Sequence, residues 1–453
     1  MPARRLAPWL ALALLAGSVR WGAFETAQPV ALLGDENYYV EVADNLARGR
    51  GHLYVGQLEG EARAWRPPGH AWLLSLGIDT QRPAREAPEL DTAVVARLQR
   101  SQIWLGTALV LLTAALGRSL FDARSGWLAG GLAALYPALI AHSHYLWSET
   151  WFSVQLLAAL WAAVKTAERP GPAGVVATGL AFGVAALTRE QALVAAAACG
   201  LWWLSEADGR RAALVRATAM LALAFAVTLP WMARNHTSFG RWIGISTVGW
   251  FAAAEGNSLE SPEWWRRRGP VQGQFHADYF STRNEGERLD LAREHAIARI
   301  VAEQPAWLFK KSVRNLALLA NPDSVVRTKV RNGAYGDRPA APARWLLAAS
   351  TPAWLALASC AALGIAASRA GGRRLLAVLL LGAVAALHIA TNATPRFRVP
   401  WLPLLCVYAA HAVWLGRGLF ARLDRRGLAG AGIALVFLFG VALPYYWMWG
   451  GRP

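Results

Sequence analysis

Residues 6–24 read LAPWLALALLAGSVRWGAF, and the chain then runs into Leu33-Gly34-Asp35-Glu36-Asn37-Tyr38-Tyr39. The first stretch is apolar over about the length that crosses a bilayer. The second sets two acids where the chain leaves it. An acidic pair at a membrane exit is either a helix cap or a carboxylate with a task, and the two readings are compatible.

Working outward, apolar runs recur along all 453 residues, of which 55% are hydrophobic and 17% charged. Eleven spans fit, at about 6–24, 99–117, 126–142, 149–166, 173–188, 191–205, 213–231, 345–367, 375–391, 400–416 and 428–449. The composition therefore predicts an all-α polytopic membrane protein. The basic N-terminus followed by an apolar run reads as an uncleaved first span, because no small-residue cleavage site clearly follows Gly17-Ser18. The net charge of +17 lies in short patches between the runs, which favours topology and anionic lipid over nucleic acid. Nearly all of it is arginine; the lysines are Lys165, Lys310, Lys311 and Lys329.

With the N-terminus cytoplasmic, every inside loop is basic: Arg118 and Arg124; Lys165 and Arg169; Arg210, Arg211 and Arg216; Arg369, Arg373 and Arg374; Arg417, Arg422, Arg425 and Arg426. Two long segments then fall outside, 25–98 and 232–344. The chain divides accordingly into a module over 1–231, an extracytoplasmic region over 232–344 and terminal helices over 345–453. Cys199, Cys360 and Cys406 lie within apolar runs and read as packing residues.

The first outside segment opens with an amphipathic helix. Tyr38, Tyr39, Val42, Ala43 and Leu46 recur at helical spacing, while Glu41, Asp44, Asn45 and Arg48 face the other way. Such a helix can lie along a membrane surface, with Asp35 at its N-cap. Arg66-Pro67-Pro68-Gly69-His70 is a rigid turn before the short apolar stretch 71–76. In the second segment, Leu289 to Val301 has helical periodicity, and Trp264, Trp265 and Trp307 are expected interface anchors.

Chemistry-bearing residues gather on the outside face. Asp35, with Glu36 beside it, is placed to take a proton from an acceptor hydroxyl. Glu149 either starts a helix or acts as a second acid that positions a sugar or shares a metal. His142 and His144 have too little company for zinc. Arg189 and Glu190 sit at a tight turn and are expected to pair. Arg396 and Arg398 lie between Pro395 and Pro400 at the mouth of a span. In an extended segment their guanidiniums share one side and suit a phosphate or pyrophosphate; a lipid headgroup is the plainer ligand. Arg66, Arg234 and Arg241 are candidates for the same site, and Arg266, Arg267 and Arg268 read as a solvated run. Asn235-His236-Thr237 and Asn392-Ala393-Thr394 match glycosylation acceptors by accident. No phosphate-binding Gly-x-x-x-x-Gly-Lys loop and no dinucleotide fingerprint is present.

Three stretches together resemble the GT-C membrane glycosyltransferases, specifically the family 39-like group of protein mannosyltransferases and the bacterial lipid A aminoarabinose transferase. They are Gly34-Asp35-Glu36-Asn37-Tyr38-Tyr39, continuing through Ala43, Leu46 and Gly49; Arg66-Pro67-Pro68-Gly69-His70; and Pro395-Arg396-Phe397-Arg398-Val399-Pro400. The order of elements matches over most of the chain, and 255–344 carries no signature. The resemblance implies a GT-C bundle in the bacterial inner membrane. Its active site faces outward, and its donor is a polyprenyl-phosphate-linked hexose or pentose. The acceptor is a lipid, glycan or protein, and a divalent metal is left open. It implies Asp35, Glu36 and Glu149 as the catalytic acids. Arg66, Arg189, Arg396 and Arg398 would bind phosphate, with Tyr38 and His70 lining the substrate site; His70 stands where relatives often carry Tyr. The acceptor would attack the anomeric carbon and invert it.

Two other classes compete. A transporter or flippase would carry its charges near the midplane of the spans; here only Arg20 and His388 come close. An O-antigen polymerase or ligase would lack the acidic pair after the first span. A non-catalytic scaffold of the same fold is the third alternative.

Overall fold

The computed structural model describes residues 2–27, 31–56, 58–80, 92–206, 209–257, 274–322, 325–336, 339–368 and 372–449. Trp264, Trp265, Arg266, Arg267, Arg268 and Arg369 lie outside these residues. Among the described residues the only β pairing is an isolated antiparallel bridge between Tyr54 and Ala62.

The chain opens with α1 (Pro2–Ala27), α2 (Asp35–Ala47), α3 (Gly69–Ser75) and α4 (Thr92–Leu120). Then come α5 (Ala123–Leu135), α6 (Pro137–His142), α7 (Ser148–Glu168), α8 (Pro172–Ala186), α9 (Gln191–Glu206) and α10 (Arg210–Phe239). The late loop holds α11 (Val248–Asn257), α12 (Gln274–Ser281), α13 (Glu285–Ala302), α14 (Ala306–Ala320) and α15 (Val325–Arg331). α16 (Ala341–Ala367), α17 (Gly372–Ala390), α18 (Leu402–Leu415) and α19 (Arg425–Phe437) follow, with a 3-10 turn, Pro395–Trp401, leading into α18.

Among the described residues seven stretches are long and apolar enough to cross a membrane: Leu6–Ala27, Thr92–Leu120, Arg210–Phe239, Ala341–Ala367, Gly372–Ala390, Pro395–Arg422 and Arg425–Tyr446. Four of the eleven expected spans fall short of this standard. α8 and α9 have 15 and 16 residues, or roughly 23 Å at 1.5 Å per residue. α7 is long enough but carries Ser148, Glu149, Ser153 and Gln155 in its first turns. The expected span 126–142 is broken at Pro137, which begins α6.

That break has a partner in α1. Pro137 has no N–H to offer the carbonyl of Ala133, four residues back. Arg20 supplies donors instead: Nη2 to Ala133 O at 3.1 Å, Nη1 to Ala134 O at 3.1 Å, and Nε to Ser143 Oγ at 3.1 Å. Arg20 is fully buried. It is therefore a staple inside the bundle, as a polar group away from water requires.

α18 is the central pillar. Every residue from Leu402 to Ala412 is buried, against α16, α5 and α4. A helix apolar all round has no solvent face to offer and sits in the middle. Its entry turn, Pro395–Trp401, is thereby fixed at the centre of one end of the bundle.

At that end the two long loop segments pack on each other. Tyr38, Tyr39, Val42 and Ala43 of α2 share a core with Trp65, Leu74, Phe251, Tyr279 and Ala292. Backbone bonds tie them: Thr247 N to Ala64 O at 2.9 Å and Val248 N to Trp65 O at 3.0 Å. Asn284 caps α13 through bonds from Gly286 N and Glu287 N. The apolar face of α2 thus meets protein, so the expected surface helix is instead covered; Asn45, assigned to the polar face, is buried as well. Trp307 is also no interface anchor, being buried with Nε1 donating to Asn257 Oδ1 at 2.8 Å.

Candidate functional site

Five side chains from five separate segments meet at the capped end of the bundle. Asp35 begins α2, Arg66 precedes α3, Glu149 is the second residue of α7, Arg189 lies in the turn between α8 and α9, and Arg396 sits in the 3-10 turn. Arg396 is central. Its Nη1 donates to Asp35 Oδ2 at 2.7 Å, and its Nε and Nη2 donate to the two oxygens of Glu149 at 2.5 and 3.1 Å. Arg66 Nη2 donates to Asp35 Oδ1 at 2.7 Å. Arg189 Nη1 donates to Glu149 Oε1 at 2.8 Å and to Ser148 Oγ at 3.0 Å.

The local chain explains each position. Gly34, at the N-cap of α2, has φ +60°, a conformation that L side chains rarely adopt. It takes the cap place expected for Asp35, whose carboxylate instead accepts from the arginines. Gly69 lets α3 press on the 187–189 turn: a Cβ there would lie 2.5 Å from Thr188 Oγ1. Gly69 N also donates to Leu187 O at 2.7 Å. Arg66 and Arg189 are held close by that contact.

Aromatic faces orient the cations. Arg396 lies 3.8 Å from the Trp147 ring centre. Arg66 lies 5.1 Å from that of Trp65 and 5.6 Å from that of Tyr38. These are cation–π distances. Burial pushes the Asp35 carboxyl up, but Arg66 and Arg396 outweigh it and hold it below its ordinary range. Glu149 is fully buried, whereas 16–22% of the Asp35, Arg66, Arg189 and Arg396 side chains stays exposed. A ligand can therefore reach the cluster.

The remaining expected site residues are placed differently. Glu36 is buried and faces away from the arginines: it accepts from Leu33 N and Leu146 N, both at 2.9 Å, and pairs with Lys329. Tyr38 is buried, its hydroxyl accepting from Arg66 N at 3.2 Å. His70 bonds Leu146 O at 3.1 Å through Nε2, and burial brings its imidazole down to about 4. Arg398 departs from Arg396. The segment is a 3-10 turn rather than extended, so residues two apart point to different sides. Arg398 donates to Leu319 O at 2.9 Å and packs 3.9 Å from the Trp354 ring centre. Arg234 donates to Arg63 O and Arg241 to Asp290, outside the cluster. Arg189 and Glu190 do not pair; Glu190 accepts from Ser246 Oγ at 2.7 Å.

Sequence reading passed over Trp147, Ser148 and Lys329 as site residues. Trp147-Ser148 adjoins Glu149, and Lys329 is one of four lysines in an arginine-rich chain; both signals were present.

A divalent metal does not fit these donors as arranged. Both oxygens of Asp35 and of Glu149 face guanidiniums. Among the described residues no group of three His, Cys, Asp or Glu side chains could hold a metal ion.

No protein-family model and no curated protein matches this chain. Solved structures do. The oligosaccharyltransferase of Archaeoglobus fulgidus, in complex with zinc and sulfate, superposes with a TM-score of 0.54 at 18% identity, covering 97% of this chain and 52% of that one. The Archaeoglobus fulgidus enzyme AglB with an inhibitory peptide and a dolichol-phosphate gives 0.54 at 16%, covering 97% and 55%. ArnT from Cupriavidus metallidurans, bound to undecaprenyl phosphate, superposes more loosely, at 0.45 and 14%, covering 97% and 64%. This chain spans about half the length of the archaeal structures. It is an all-α, multi-pass membrane protein with the GT-C fold. The likeness is one of fold.

Proposed function

We propose that this chain is a glycosyltransferase that moves a sugar from a polyprenyl-phosphate donor to a lipid, glycan or protein acceptor. The observation that carries the reading is the charge of the cluster. Three guanidiniums face two carboxylates, leaving one net positive charge in a partly open site. A polyprenyl-phosphate sugar is a phosphodiester with one negative charge, and its leaving phosphate gains a second. Planar guanidiniums already fixed in place suit that developing charge. The site stands at the end of an apolar bundle, where the headgroup of a lipid-borne donor would arrive. The positive-inside pattern supports the outer face of a bacterial inner membrane.

The acceptor hydroxyl oxygen attacks the anomeric carbon as the bond to the phosphate oxygen breaks, which inverts the centre; the hydroxyl proton passes to Asp35 and the lipid phosphate leaves as a dianion. Asp35 orients the acceptor. As a base it is weak while both arginines hold its charge. A phosphate that engages Arg66 and Arg396 would loosen that hold and raise its basicity once donor is bound. Glu149 acts as the fixed counter-charge that keeps Arg396 and Arg189 in place. The dolichol-phosphate and sulfate in the archaeal complexes lend support, since both bring tetrahedral oxyanions to proteins of this fold.

The test is Asp35→Asn in the purified, folded protein. Sugar transfer from polyprenyl-phosphate donors should be abolished while expression and a cooperative fold are retained; full activity would remove the mechanism. Mass spectrometry of envelope lipids and glycoproteins in a deletion strain would name the sugar.

A further inference from the structure

Lys329 stands outside the proposed chemistry, yet it is buried beneath it. Its ammonium pairs with Glu36, and both side chains are almost fully buried. A buried ion pair is a poor device for stability alone, since well-packed apolar residues often do as well. What an apolar pair could not do is accept hydrogen bonds. Through Glu36 this pair holds Leu33 N and Leu146 N. Leu33 lies two residues before Asp35, and Leu146 three before Glu149. One carboxylate therefore sets the start of both acid-bearing helices.

Lys329 also touches the site from a second direction. Its Nζ lies 4.4 Å from the Trp147 ring centre and 4.7 Å from that of Tyr145. Arg396 lies 3.8 Å from the same Trp147 ring. The indole is thus shared by two cations, one buried and one at the opening. A further bond from beyond α15, Tyr335 Oη to Tyr145 Oη at 2.8 Å, ties the same turn.

We infer that Lys329 is a positioning residue for Arg396, acting through Glu36 and Trp147, and that α15 thereby couples the late loop to the phosphate-binding cluster. The coupling to phosphate rests on the function proposed above; the positioning of Arg396 does not.

The experiment uses full-length protein in detergent and compares wild type with the Glu36→Gln/Lys329→Met double variant, which removes both charges together. Folding is read by melting and size exclusion. The Arg396 position is read by phenylglyoxal modification mapped by mass spectrometry. Ligand affinity is read with undecaprenyl phosphate as the probe, with Arg396→Gln as the reference for a lost clamp. In the folded double variant, Arg396 should be modified about tenfold faster, and affinity should fall about tenfold or more, as a displacement near 1 Å can produce. A folded variant with wild-type protection and affinity overturns the inference. If wild type binds no undecaprenyl phosphate while the variant loses Arg396 protection, the functional reading falls and the positioning stands. The isosteric Glu36→Gln variant carries the same readouts should the double variant fail to fold.

Discussion

Asp35 owes its charge to two arginines, and that fixes how its contribution depends on pH. Its folded pKa lies below the ordinary carboxylate value. The stability it contributes is fully present above the unfolded pKa, about 4, and is lost as pH falls through the lower folded value. The melting-temperature gap between wild type and Asp35→Asn should therefore hold steady down to about pH 5 and close below about 4. A gap unchanged down to pH 3 would contradict the ion-pair account. The acids Asp35 and Glu149 were legible in sequence because each adjoins an apolar run. Their partners were less so. Arg396 and Arg398 looked equivalent by alternation, but the 3-10 turn separates them. Glu36 looked like a twin of Asp35. One residue of helical rotation, about 100°, turns it instead toward Leu146 and Lys329.

At the scale of elements, breaks and close approaches shape the site. The Pro137 break leaves a carbonyl that Arg20 satisfies. Arg20→Met should cost about 2–3 kcal/mol, the worth of charge-assisted bonds to groups left without a donor; an unchanged melting temperature in detergent would sink that account. Gly69→Ala should cost about 1–3 kcal/mol through overpacking against the 187–189 turn. It should also weaken donor binding by moving Arg189, whereas a variant that melts lower but binds donor normally would show that turn and site are independent. Helix periodicity found α2 and α13 within a few residues. It could not show that the apolar face of α2 meets α11–α13 rather than lipid, because periodicity gives a face and not its partner. Hydropathy placed eleven spans, of which seven have the length and composition of a crossing helix among the described residues. α8 and α9 are apolar, yet at about 23 Å they are shorter than the bilayer core they were expected to cross.

For the molecule as a whole, the arrangement of basic loops makes a topological prediction. With the N-terminus inside, Ser281→Cys at the exposed end of α12 should react with a membrane-impermeant maleimide in intact cells. Gly209→Cys, exposed before α10, should react only after permeabilisation. The reverse pattern would invert the topology and move the site to the cytoplasm. The all-α, many-span plan was readable because long apolar runs recur along the chain, whereas the central place of α18 shows only in the fold. The joining of segments 25–98 and 232–344 was not, since the side chains that make it, Glu285, Arg288 and Arg234, bond backbone groups of residues 59–64 that nothing in the sequence marks as partners. One consequence concerns the order of synthesis. Asp35 and Glu149 leave the ribosome early, and Arg396, which binds both, comes some 250 residues after the second of them. Until that turn is made the two acids lack their shared partner. On the function proposed above, the growing chain would engage no donor for most of its synthesis, and the site would be completed by the insertion of its central helix.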